Sequence, residues 1–159
     1  MESIESVMRE YNNMQNTMKE LILFGKFPKA KTLLKDIDYA IFRNLLFKIG
    51  YDDQSICSYA FICFLLLENE TIQYHILASE LLVSAFSHLE GAYVTALYHI
   101  RRTIELEPHN VELQANLLFF NDIPDKLISN EEAEAIALNV LVKNPNNLIA
   151  LDFLSIFKK

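Results

Sequence analysis

Glu80, Ser84 and His88 follow one another at four-residue spacing, so on a single helix they share one stripe. A carboxylate, a hydroxyl and an imidazole are the residue types of an acyl-transfer triad. That chemistry also needs the base to meet the nucleophile in a fixed approach, and donors for the developing oxyanion. Nothing in the chain supplies them. The stripe therefore reads as a polar face toward a groove or solvent, and no catalytic residue is assigned.

The other reactive side chains are dispersed. His75, His88, His99 and His109 lack a second ligand in register, so no metal site is expected. His109 follows Pro108 and reads as a polar turn residue. His99, beside Arg101 and Arg102, reads as a surface or boundary residue. Cys57 and Cys63 are six residues apart, about 240° around a helix, so they neither pair nor share a metal. They are expected to be buried free thiols, which suits a reducing cytoplasm. No phosphate-cradling loop appears, and no cofactor is expected.

The elements that carry these residues are helices. The chain has 159 residues, 52% of them apolar, with three Gly and four Pro. That is enough for one core, and too few turn residues for a sandwich or barrel of short strands. Ile4, Val7, Met8, Tyr11, Met14, Met18, Leu21 and Ile22 advance by three or four, giving a first helix that stops at Gly25. Pro28 suits the first turn of a second, over about 28–36. A third runs from about Tyr39 to Ile49 and stops at Gly50. Asp52 and Asp53 are candidate N-caps for a fourth reaching about Leu67. Further helices are expected from Thr71 to about Leu89, Tyr93 to Leu106, Asn110 to Phe120, Ala133 to Val142 and Leu148 to Phe157. Ser129 with Glu132 has capping-box spacing before the penultimate helix, and the loop 121–129 is the least regular stretch.

Charge bounds the partners. The formal net charge of −7 disfavours nucleic acid, which attracts basic surfaces. Residues 19–48 hold seven Lys or Arg against three acids, whereas 49–100 hold six acids and no Lys or Arg. The basic stretch is a solvated face or a patch for an acidic partner; the second stretch is expected to be the most buried. No basic region followed by an apolar core opens the chain, so no signal peptide is expected. The longest apolar run, Tyr59 to Leu67, is too short to span a bilayer. A cytoplasmic protein without a membrane role is expected.

The hairpins repeat. Gly25-Lys26-Phe27-Pro28-Lys29-Ala30 and Gly91-Ala92-Tyr93-Val94-Thr95-Ala96 share the pattern Gly, any, aromatic, any, any, Ala, 66 residues apart, twice 33. Gly91 at the turn, Tyr93 beside it, Ala96 at a small position and Pro108-His109-Asn110 at the exit resemble the trailing half of a tetratricopeptide repeat. Ile100 and Thr103 stand at the family's large and second small positions. Ala133, Ala137 and Val140 with Asn144-Pro145-Asn146-Asn147 repeat the frame, 37 residues from Pro108 to Pro145. Gly50 lacks the following aromatic–Ala pattern, so the second unit departs most.

This resemblance implies an all-α fold of about eight or nine helices, antiparallel hairpins stacked as a right-handed superhelix. One domain spans 1–159, with units roughly 3–37, 38–68, 69–108 and 109–145 and a capping helix over 146–158. Small residues such as Ala96 and Ala133 let helices approach closely, while Phe27 and Tyr93 fill gaps between hairpins. Phe42, Phe47, Phe61, Phe64, Phe86, Phe119 and Phe120 read as core. Phe119, Phe120, Phe153 or Phe157 could instead expose a patch for a partner or a homodimer.

The resemblance also implies a non-catalytic module that binds a protein or peptide on the concave face of its leading helices. By phase, the candidates are Asn12, Gln15 and Lys19 on the first helix and Tyr39 and Arg43 on the third. Glu80, Ser84 and His88 follow on the fifth, then Glu112 and Asn116 on the seventh. Lys19 and Arg43 are too few to clamp a C-terminal carboxylate, which sets aside a receptor for heat-shock-protein tails. The acidity suits a basic partner. An adaptor, a chaperone, a regulatory binding protein, an immunity protein neutralising a toxin and a structural oligomer subunit all stay open. So does a small helical enzyme with a site around Glu80 and His88.

Overall fold

The computed structural model describes residues 4–157, and among these every regular element is helical, with no strand. Helix α1 (Ile4–Leu23) buries Met18 and Ile22. It closes in a Schellman turn: Gly25, at φ +66°, donates its N–H to the Ile22 carbonyl, and Lys26 reaches back to Leu21. Helix α2 (Phe27–Thr32) is shorter than its periodicity predicts and passes into a 3-10 turn over Leu34–Asp36. The Thr32 hydroxyl donates to the Lys29 carbonyl at 2.7 Å, an alternative to continued helix.

Helix α3 (Tyr39–Tyr51) is capped by Asp38, whose carboxylate accepts from the Ala40 N–H. It runs through Gly50, which does not terminate it. A Cβ on Gly50 would lie 2.8 Å from the Ala85 Cβ and 3.3 Å from the Phe86 ring, so this glycine serves close packing. Helix α4 (Cys57–Glu68) starts later than the Asp52–Asp53 reading, because Ser55 takes the capping work. The Ser55 hydroxyl accepts from the Cys57 N–H, and Asp53 instead pairs with Lys19 at 2.7 Å. Phe27 packs its ring 5.4 Å from Phe61 and 5.8 Å from Phe64, joining α2 to α4 as the aromatic positions predict.

Helix α5 (Ile72–Val83) begins at the Thr71 cap and stops well before Leu89. Ser84 leaves helical geometry, its hydroxyl donates to the Glu80 carbonyl, and the following turns drive Ala85 and Phe86 into the core beside Gly50. Glu80 and His88 are thus not on one helix. Helix α6 (Ala92–Leu106) opens at Gly91, at φ +78°, and buries Ala92, Ala96, His99, Ile100 and Thr103 as one stripe. Asn110 caps α7 (Val111–Ala115), which passes through a 3-10 turn (Asn116–Leu118) into α8 (Phe119–Asp122). Ile123, extended before Pro124, ends that run. Ser129 caps α9 (Asn130–Lys143), accepting from the Glu132 N–H at 3.1 Å, and α10 (Leu148–Phe157) closes the described chain.

Taking 111–122 as one interrupted helix gives nine helices among the described residues, the number read from the sequence. Packing is heaviest within the hairpins, above all between α5 and α6, and between α4 and α5 from one hairpin to the next. Helix α1 packs on α2, α3 and α4; α3 on α4 and α5; α5 on α6; α6 on α7; α7 on α9; and α9 on α10. Each unit buries its apolar face against its neighbours. Phe42, Phe61, Phe86 and Phe120 are buried, whereas Phe47 and Phe64 are half-buried and Phe119 is 44% exposed. Cys57 and Cys63 are free and only half-buried, less enclosed than expected. Among the described residues, no helix is long and apolar enough to cross a membrane.

Candidate functional site

Three depressions lie on the surface, two between helices read as leading elements and one against α10. The first, about 390 Å³, has Gln15 of α1 on one wall and Ile41, Asn44 and Phe47 of α3 on the other. The second, about 170 Å³, lies between Ile76 and Glu80 of α5 and the run carrying Asn116 and Phe119. The third, about 380 Å³, separates Leu118 and Phe119 from Ile149, Phe153 and Ile156 of α10. Asn116 and Phe119 line both of the last two, so these adjoin along the 111–122 run, and together they are called the trough.

Between the first and second depressions, α3 and α5 are bridged by an ion pair. Arg43 donates from Nε to a Glu80 oxygen at 3.0 Å, its Nη2 lies 3.0 Å from the same oxygen, and its guanidinium lies 4.5 Å over the Phe47 ring. Both side chains keep more than a third of their surface in water, so the pair fixes register more than it stabilises. Tyr39, at the start of α3, is half-buried. Burial first, and then the Glu80 carboxylate, push its hydroxyl up from the ordinary range.

The remaining predicted residues scatter. Asn12 is exposed on α1, and Lys19 is held by Asp53. Ser84 is turned back on its own chain, and His88 is exposed without a hydrogen-bond partner among the described residues. Glu112 is a clasp: its two oxygens accept from the Asn144 and Asn147 amides, each at 2.6 Å, tying α7 to the turn before α10. Of the predicted residues, Gln15 lines the first depression, Glu80 the second and Asn116 the second and third, while Arg43 reaches Glu80 through the α3–α5 bridge.

A second constellation lies inside the α5–α6 hairpin, and the sequence reading missed it. His75 and His99 are each 3% exposed, and their Nδ1 atoms face one another at 2.8 Å. His75 Nε2 is 3.0 Å from Glu70 Oε1, and His99 Nε2 is 3.0 Å from the Tyr59 hydroxyl. Arg102 grips both Glu70 oxygens, at 2.7 and 2.9 Å, and also reaches Glu105. The surface position given to His99 is therefore wrong. Its place with Ala92, Ala96 and Thr103 on the buried stripe of α6 was the available signal, because a residue in phase with the small positions must face inward.

Hydrogen-bond arithmetic fixes the neutral state of this line. The Glu70 carboxylate can only accept, so His75 donates from Nε2 and must accept at Nδ1. His99 then donates from Nδ1 and accepts at Nε2 from Tyr59. Arg102 and then His75 hold the Glu70 carboxyl down to about 2. Burial, helped by His75, brings His99 down to about 4, and burial pushes the Tyr59 hydroxyl and the Cys63 thiol up. Every polar atom of the line is satisfied without water. Nothing in it approaches a nucleophile with a base at its side. No group of three or more His, Cys, Asp or Glu among the described residues is placed to hold a metal ion.

No family model matches the chain, and neither a curated protein nor a solved structure matches it significantly.

Proposed function

We propose that this chain is a non-catalytic binding module that takes a segment of another protein along its leading-helix side, in a tetratricopeptide-like right-handed stack. The observation that carries this reading is the pair of adjoining depressions that share Asn116 and Phe119 and are edged by exposed apolar side chains. A concave, mostly apolar surface with a few polar groups is what segment recognition uses. The Arg43–Glu80 pair would set register. An adaptor, a chaperone, a regulatory binding protein or an immunity protein in the cytoplasm all work through such a surface. The enzyme reading has less to rest on, because Glu80 is engaged by Arg43 and His88 lies beyond α5.

Selection of peptides from a phage-displayed random library tests the proposal. Binders should be recovered, and Phe119→Ala should weaken them at least tenfold while the unfolding midpoint moves little. An empty selection, or binders indifferent to Phe119→Ala and to Glu80→Ala, would overturn the trough as the site.

A further inference from the structure

Helix α10 is apolar on two faces. Ala150 and Leu154 are buried, and α9 is its main packing neighbour. Ile149, Phe153 and Ile156 recur at i, i+4 and i+7 on the other face and line the 380 Å³ groove opposite Leu118 and Phe119. Ile149 and Ile156 remain 47% and 73% exposed. Single exposed apolar residues are ordinary, but a stripe at helical period facing a groove is a surface shaped for another helix.

The groove also carries charge. Asp122 lines one wall and Asp152 the other, both exposed and neither ion-paired with any described residue. A cation beside the groove would therefore be favoured by both carboxylates. The charge also argues against a second copy of this chain. A two-fold contact through this groove would bring each copy's Asp122 and Asp152 against the same pair on the other.

We infer that the groove between α7–α8 and α10 receives an amphipathic helix of a partner protein, its apolar stripe flanked by Lys or Arg that meet Asp122 and Asp152. This rests on the segment-binding reading and names the partner's chemistry at one end of the trough. Apolar contact supplies the affinity, and the two carboxylates supply orientation and a salt-dependent approach.

The probes are two fluorescein-labelled amphipathic helical peptides of about four turns. They share one Leu stripe, flanked by Lys in the first and by Glu in the second. Fluorescence anisotropy with the full chain should show the Lys peptide binding at least tenfold more tightly than its Glu twin. The difference should shrink in about 0.5 M salt, where exposed charges are screened. The double variant Asp122→Asn, Asp152→Asn should weaken the Lys peptide about three- to tenfold and leave the Glu peptide unchanged or improved. Ile156→Glu, on an exposed position that the fold tolerates, should remove binding of the Lys peptide. Equal affinity of the twins, an unmoved Kd in the double variant, or full binding by Ile156→Glu would each overturn the inference. Library binders that depend on Phe119 yet carry no excess of Lys or Arg would sink this inference alone. An empty library selection would take the segment-binding reading with it.

Discussion

The protons between His75 and His99 have to be placed together, because each fixes the next. In the neutral line every N–H or O–H points from Tyr59 toward Glu70. A proton added to His99 makes both of its nitrogens donors, so the Tyr59 hydroxyl must turn and accept, and the charge sits in a buried site. The pH consequence follows from His99, depressed from 6.5 to about 4. The unfolded chain binds the proton first, so the stabilisation is fully present above about pH 6.5. It is lost as pH falls to about 4 and is level below that. The loss should be on the order of 2–3 kcal/mol, read as urea midpoints from pH 7.5 to 4. Glu70 adds a further loss below about 4.5, because its carboxyl is held down to about 2. His99→Gln keeps an acceptor for Tyr59 and a donor for His75, and it should flatten the first of these losses. An unchanged slope in that variant would remove His99 as its source.

At the scale of the element, local signals located most helices and tertiary packing set the exceptions. Thr71, Asn110 and Ser129 are legible as caps because a short side-chain oxygen before an apolar run has one physical use there, and each accepts the expected N–H. Thr71→Ala or Ser129→Ala should each cost about 1 kcal/mol in urea titration. Gly25 and Gly91 were legible as turns for a similar reason, since both adopt positive φ. Gly50 was not. Its role depends on Ala85 and Phe86, a hairpin away, and a pattern along one chain does not show which backbone comes near. The same cause shortens α5: its apolar period continues past Val83, but the turn that buries Phe86 overrides it. Gly50→Ala should therefore cost about 1–3 kcal/mol through overpacking, against roughly 1 kcal/mol for the conformational strain of Gly91→Ala. Equal losses in thermal unfolding would mean that the α3–α5 contact adjusts freely.

For the whole molecule, helix phase was enough to single out Gln15, Glu80 and Asn116, which line depressions, and Arg43, which pairs with Glu80. It could not reveal that Glu112 is taken up by Asn144 and Asn147, or that a groove opens against α10. Those depend on how the last turn folds back. Asn147 is 4% exposed and holds two parts at once, donating to Glu112 and capping α10 through the Ala150 N–H at 2.9 Å. Asn147→Asp preserves size and cap but sets carboxylate against carboxylate. It should lower the thermal midpoint by several degrees at pH 7, with recovery near pH 4 as one acid takes a proton. A midpoint equal to that of the parent chain at pH 7 would show the clasp to be dispensable. Amide hydrolysis makes the same replacement spontaneously as a polypeptide ages, since asparagine is among the heat-labile residues. The terminal coil would then lose its mooring while the older hairpins stayed folded, and the molecule's capacity to hold a visitor would expire before its architecture did.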